Sequence, residues 1–207
     1  MVLPSKNNKD ERTEALRKIR DEVLNCVDSP LYHYRKQNHY YPVIGEGDHY
    51  AKILFVGEAP GKNEAQTGRP FCGAAGKILD GLIQSIGLRR EDVYITNIVK
   101  DRPPENRDPF PDEIALYAPF LDRQIDIIKP RVICTLGRHS MNYILERFGI
   151  FDSPQSISKI HGRIFDAQAD YGGIKVMPQY HPAASIYNRA TLEDLKKDFL
   201  ILKNLLA

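Results

Sequence analysis

Four short apolar runs, each followed by a stretch of helical period, constrain this chain more than any other feature. They are Ile53-Leu54-Phe55-Val56, stopped at Gly57; Val93-Tyr94-Ile95-Thr96-Asn97; Val132 to Leu136, stopped at Gly137; and Ile174 to Met177. Continuous runs of branched and aromatic residues at this length read as strands buried on both faces. Helical spacing fills the gaps: Ile78, Leu79, Leu82, Ile83 and Ile86 within 74–86, a segment from Asp112 to Ile128 between Pro111 and Pro130, another from Gly137 to about Phe148, and a last from Leu192 to Leu205. Strands that alternate with helices predict an α/β fold: a three-layer αβα sandwich around a mostly parallel four-stranded sheet.

Ahead of the first strand, Ala15, Leu16, Ile19, Val23, Leu24 and Val27 mark one face of a helix over 11–27. Residues 28–50 have no period but carry Tyr32, Tyr34, Tyr40, Tyr41 and Tyr50, which predicts an ordered loop packed on the body. The expectation is one domain over 1–207, with 1–50 as a helix and aromatic loop laid against it. Hydrophobic residues at 42% and charged residues at 27% suit a chain that builds a core. A formal charge of +2 neither demands nor excludes a nucleic-acid partner, because the placement of charge decides that. The polar N-terminus lacks a signal-peptide core, and no run approaches the ~18 apolar residues of a membrane span. A soluble protein of the cell interior, without a membrane partner, is expected. Cys26, Cys72 and Cys134 are isolated and read as reduced thiols, so spacing predicts no metal site.

Ligands of such sheets bind beyond the carboxyl ends of the strands, and the unusual loops lie there: 57–73, 97–110 and 178–189. The first reads Gly57-Glu58-Ala59-Pro60-Gly61, then Gly68-Arg69-Pro70-Phe71. It contains neither G-x-G-x-x-G nor G-x-x-x-x-G-K-[ST], which argues against a dinucleotide or P-loop cradle. Glu58 taken alone is equally a solvated turn carboxylate, and Phe71 a core residue. Asn97 is either a turn former or a reader of a planar amide edge, able to accept from one atom and donate to the next. Lys100, Arg102 and Arg107 follow it as a local basic stripe, and His181 precedes Pro182 in the last loop. In combination, a carboxylate, an aromatic ring, an amide and an imidazole at one end of a sheet match what excision of a nucleobase requires. The base must leave the stack, lie on a ring face and be read along its pairing edge.

With those residues in view, the chain resembles the family 4 uracil-DNA glycosylases. The matching segments are Gly57-Glu58-Ala59-Pro60-Gly61, Gly68-Arg69-Pro70-Phe71, Thr96-Asn97-Ile98-Val99-Lys100, Arg102-Pro103-Pro104, Asn106-Arg107 and His181-Pro182-Ala183, in family order. The resemblance implies a monofunctional DNA-repair enzyme that hydrolyses the bond between uracil and its sugar, leaving an abasic site. Phe71 would stack on the flipped base, beside Ala59 of the same wall. Asn97 would pair with uracil N3–H and O4, and His181 would donate to O2. Glu58 would hold water below the sugar, and Glu64 would lie near the uracil 5-position. Ile186 would wedge into the vacated stack with Ser185 and Tyr187 beside it. Arg69, Lys100, Arg102, Arg107 and Arg189 would clamp phosphates. The partner implied is uracil-containing DNA, and the expected state is a monomer.

The chain also departs from that family, which usually holds a [4Fe–4S] cluster through four cysteines. Cys26 stands at the first ligand position, but Ser29, Asp101 and Tyr117 stand at the others. One thiolate does not hold a cluster that needs about four. No cofactor is expected, with the 28–50 loop packing against Tyr117 in its place. His161 replaces the arginine usual before Gly162, and 100–111 contains no histidine of the kind that traps uracil covalently, so turnover is expected. The competing readings are a same-fold glycosylase for hypoxanthine or xanthine in DNA, a catalytically idle damaged-DNA-binding module, and a nucleotide-dependent oxidoreductase.

Overall fold

The computed structural model describes residues 6–151 and 154–205; residues 1–5, 152–153 and 206–207 of the expected 1–207 domain lie outside the described residues. The chain runs α1 (Lys6–Leu24), α2 (Tyr32–Gln37), β1 (Glu46–Gly47), β2 (Ile53–Gly57), α3 (Lys62–Thr67), α4 (Ala74–Ser85), β3 (Tyr94–Asn97), α5 (Pro111–Ile128), β4 (Val132–Leu136), α6 (Arg138–Arg147), α7 (Ile157–Ile160), β5 (Phe165–Ala169), β6 (Gly172–Gln179) and α8 (Arg189–Asn204). The sheet has six strands in the order β1-β3-β2-β4-β6-β5. Its centre, β3-β2-β4-β6, is the parallel four-stranded array that the apolar runs predict. The expected count is corrected by two antiparallel edge strands, β1 against β3 and β5 against β6.

Alternation along β2 shows why the layers form. Ile53 and Phe55 face a core with Leu79, Ile83, Leu195 and Phe199 from α4 and α8. Leu54 and Val56 face a second core with Ile19, Val23, Tyr117, Leu121, Ile125 and Ile144 from α1, α5 and α6. All these side chains are 0% exposed apart from Ile53 at 1%, and burying each contributes about 1.5–3 kcal/mol before chain entropy is counted. The N-terminal helix ends at Leu24, short of the expected 27; Val27 is 59% exposed. The 28–50 segment is not wholly a loop, since it contains α2 and β1. Among the described residues, no helix is long and apolar enough to cross a membrane.

Candidate active site

Parallel register brings the site together. Gly57 of β2 pairs with Asn97 of β3, and the zipper continues past both strands through Ile98 N–H to Gly57 O (3.1 Å) and Val99 N–H to Glu58 O (3.0 Å). Glu58 and Asn97 therefore leave the sheet side by side. At the next strand ends, Gly137 N–H donates to Gln179 O at 2.9 Å, which seats His181 two residues beyond β6. Gly137 has φ +99°, and a Cβ there would stand 3.2 Å from His181 Cβ. A side chain would press the imidazole out of place.

The strand ends surround a cavity of about 470 Å³ whose walls include Glu58, Ala59, Glu64, Phe71, Asn97 and His181, with Asn106, Arg107 and Asp108 along one side. Phe71, 6% exposed, takes φ +46°, a left-handed backbone that costs a non-glycine residue about 1–2 kcal/mol. The turn is held from both sides. Arg90 donates to Phe71 O (3.3 Å) and to Pro70 O, while Glu64 Oε1 accepts from the N–H groups of Cys72 and Gly73, both at 2.9 Å. Glu64 thus lines the cavity, but one of its carboxylate oxygens pins the loop that presents Phe71. The Phe71 and His181 rings lie 5.5 Å apart at 29°.

Asn97 is 2% exposed, and its Oδ1 is buried without a hydrogen-bond partner. An orphaned buried acceptor costs roughly 1–3 kcal/mol, so such an atom in a cavity wall is suited to a ligand's N–H. His181 Nδ1 accepts from Ala183 N–H at 3.1 Å. Nδ1 therefore carries no hydrogen, and the neutral ring bears its proton on Nε2 as a donor. Burial holds the His181 pKa below its usual value, which favours that neutral donor.

Glu58 is half-buried, and burial raises its pKa; His139 and Arg138 lower it, while Asp108 raises it further. His139 Nε2 lies 3.9 Å from Glu58 Oε2 and 3.2 Å from Asp108 Oδ2. Arg138 donates to Asp108 Oδ2 (2.6 Å) and to His139 Nε2 (3.1 Å), so a guanidinium already engages both of these atoms. The sequence reading missed Asp108 and His139. His139 follows a parallel strand that ends at Leu136, so the strand-end rule that singled out Glu58 and Asn97 applied to it as well.

The basic stripe is corrected by burial. Lys100 is 0% exposed and Arg102 9%, so neither faces a phosphate. Arg102 donates to Asn106 Oδ1 (2.7 Å) and Tyr40 OH (2.9 Å), which knits the 100–107 loop to the tyrosines ahead of β1. Arg107 spends two donors on Glu113 (2.8 and 2.6 Å) at the cavity edge. Arg69 is engaged by Glu46 (3.0 and 2.8 Å) and lines a separate depression with Arg89 and Arg90. Ser185 is buried too and donates to Pro182 O at 2.7 Å, so its side chain shapes the turn after His181 and is turned away from solvent. Ile186 at 39% and Tyr187 at 97% exposure project from that turn, with Arg189 exposed beyond them.

Ser29, Asp101 and Tyr117 do meet. Ser29 Oγ and Tyr117 OH are 2.7 Å apart, Tyr117 OH donates to Asp101 Oδ2 (2.6 Å), and Arg35 donates to Asp101 Oδ1 (3.3 Å) and to the Leu24 oxygen (2.8 Å). The 28–50 segment reaches Tyr117 through the Ser29 hydroxyl and reaches its partner Asp101 through the Arg35 guanidinium, while Tyr34 and Tyr40 pack edge-on at 6.1 Å.

A cavity at the strand ends that offers one ring face, an amide edge, an imidazole N–H and a half-buried carboxylate defines an enzyme that accepts a single planar base. Comparison with known proteins gives the family. The model of the uracil DNA glycosylase superfamily matches residues 44–203. The chain is 48% identical over 193 residues to a type-4 uracil-DNA glycosylase of Sulfurisphaera tokodaii, covering 93% of this chain and 85% of the relative. It is 41% identical over 192 residues to a type-4 uracil-DNA glycosylase of Thermotoga maritima (90% and 94% covered), and 33% identical over 155 residues to a type-5 uracil-DNA glycosylase of Thermus thermophilus (68% of each). The chain belongs to the uracil DNA glycosylase superfamily.

Proposed function

We propose that this chain excises uracil from DNA as a monofunctional glycosylase, and that Glu58, Phe71, Asn97 and His181 carry the reaction. The observation that bears most weight is the unpartnered Asn97 Oδ1 in the wall of the cavity. It accepts uracil N3–H while the same amide donates to O4. Cytosine offers the opposite order and would leave buried groups unpaired, a mismatch worth about 10⁴-fold in sites of this kind. Phe71 supplies the stacking face, about 1–3 kcal/mol per base. The C1′–N1 bond breaks with its electron pair leaving on uracil. His181 Nε2–H donates to O2 as that charge develops, and Glu58 faces the electron-poor sugar and orients the water whose oxygen bonds to C1′. The water's remaining proton passes to solvent and the uracil anion recovers one. Among the described residues lining the cavity there is no lysine to form a Schiff base, which supports leaving the abasic strand uncut.

The reading includes no iron–sulfur cluster. At the four positions the donors are one thiol, a hydroxyl, a carboxyl and a phenol, and the last three are already hydrogen-bonded among themselves and to Arg35. That donor set does not fit a cluster built on thiolates. We also read Ile186 and Tyr187 as the wedge and Arg189 as a phosphate contact, with the enzyme acting as a monomer inside the cell. Cleavage of oligonucleotides bearing single uracil, hypoxanthine or xanthine lesions, followed by alkali, tests the reading. Uracil is expected to be the substrate, and Asn97→Ala or His181→Ala to lower its excision by about 10²-fold or more. Excision of deaminated purines alone would overturn it.

A further inference from the structure

Lys100, misplaced on a phosphate by its sequence position, sits instead against the backbone of the residue that reads the base. Its Nζ donates to Asn97 O at 2.6 Å, to Gln124 Oε1 at 2.6 Å and to Thr96 Oγ1 at 2.9 Å. Each partner is committed as an acceptor. Thr96 Oγ1 gives its own hydrogen to Ile44 O at 2.7 Å, Gln124 donates Nε2–H to that same oxygen at 2.9 Å, and Asn97 presents a carbonyl. Three acceptors require three hydrogens, which an ammonium has and a neutral amine lacks. Among the described residues no carboxylate touches this Nζ. Asp122 acts on it only through space, its Oδ1 being taken by Tyr143 and Arg147. Burial pulls the Lys100 pKa down to about 7 and so opposes the charge, whereas the three committed acceptors hold the ammonium in place.

A buried charge without a carboxylate partner works against stability. A function repays it: uracil departs with a negative charge, held by the residue whose backbone Lys100 grips. The geometry points to Lys100 as a positioning residue for the departing base, one that clamps the Asn97 backbone and places a positive charge against the residue at the uracil edge. In this low-dielectric setting the charge is screened little and needs no reorganisation when the bond breaks. The inference rests on the reading of Asn97 as the uracil-binding amide.

The test compares single-turnover excision of uracil and of 5-fluorouracil from matched oligonucleotides. Fluorine withdraws electrons and stabilises the departing anion, so the fluorinated base depends less on an external cation. Lys100→Met is expected to slow uracil excision about 10- to 100-fold and 5-fluorouracil excision distinctly less, with DNA affinity unchanged because Lys100 has no exposed surface. The ratio of the two rates is independent of how much of a preparation is folded. Gln124→Glu sets a carboxylate against the ammonium in nearly the same volume and is expected to shift the ratio in the same direction. Equal slowing on both bases, or no slowing in either variant, overturns the inference while leaving the uracil reading intact. A wild-type protein that cuts neither substrate refutes both.

Discussion

A single methyl group at Gly57 tests how tightly the base pocket is built. A Cβ there would lie 2.3 Å from Asn97 Oδ1 and 2.8 Å from two atoms of the Phe71 ring, where ordinary contact begins at 3.4 Å. The amide must retreat by roughly 1 Å, a misplacement that costs a positioned group about 10²-fold in rate. Phe71 has little room to give, because Arg90 and Glu64 hold its turn. Overpacking of this size destabilises a fold by about 1–3 kcal/mol, or roughly 2–12 °C in Tm for a domain of this length. Gly57→Ala is therefore expected to fold, to melt a few degrees lower, and to excise uracil about 10²-fold more slowly in single-turnover assays. In an Asn97→Ala background the methyl no longer meets the amide, and the further loss should drop below about 10-fold. Full activity in Gly57→Ala, or strictly multiplicative losses in the double variant, would refute the claim that this glycine exists to admit the amide.

The pH profile reports on Glu58. Its carboxylate is the working form and burial raises its pKa, so activity is complete above that pKa and falls as pH drops through it. The acidic limb should lie above the ordinary carboxylate range and vanish in Glu58→Gln; a limb at the ordinary position counts against the assignment. Burial moves His181 protonation to lower pH than usual, toward the same region, so loss of the limb in Glu58→Gln is what assigns it to Glu58. Tyr117→Phe removes the donor to Asp101 Oδ2 and the phenol oxygen that meets Ser29 Oγ; it should cost about 1–3 kcal/mol in chemical denaturation with the rate of uracil excision unaltered. Ile186→Ala should slow excision from duplex DNA about 10-fold and spare single-stranded DNA, which has no stack to refill. Equal effects on both would remove Ile186 from the wedge role.

Hydrophobic pattern alone determined the centre of the sheet. Strands such as 53–57 and 132–136 are buried on both faces and must be apolar throughout, so their sequence announces them whatever surrounds them. It also located the site, because loops at the carboxyl ends of parallel strands converge wherever helices return the chain. The edge strand Phe165–Ala169 left a fainter mark, the alternation of Phe165, Ala167 and Ala169 with Asp166 and Gln168, and Glu46–Gly47 is too short to show any period. The destinations of Lys100, Arg102 and Ser185 were not legible. A lysine reads as exposed until the chain brings Gln124 and the Ile44 carbonyl around it, residues 24 positions away or more. Likewise, only the folded register shows that Gly57 must lack a side chain and that His181 gives up Nδ1 to Ala183. The pattern of burial is carried by each segment's own residues, whereas the state of a charge or a proton depends on neighbours that only the folded chain supplies.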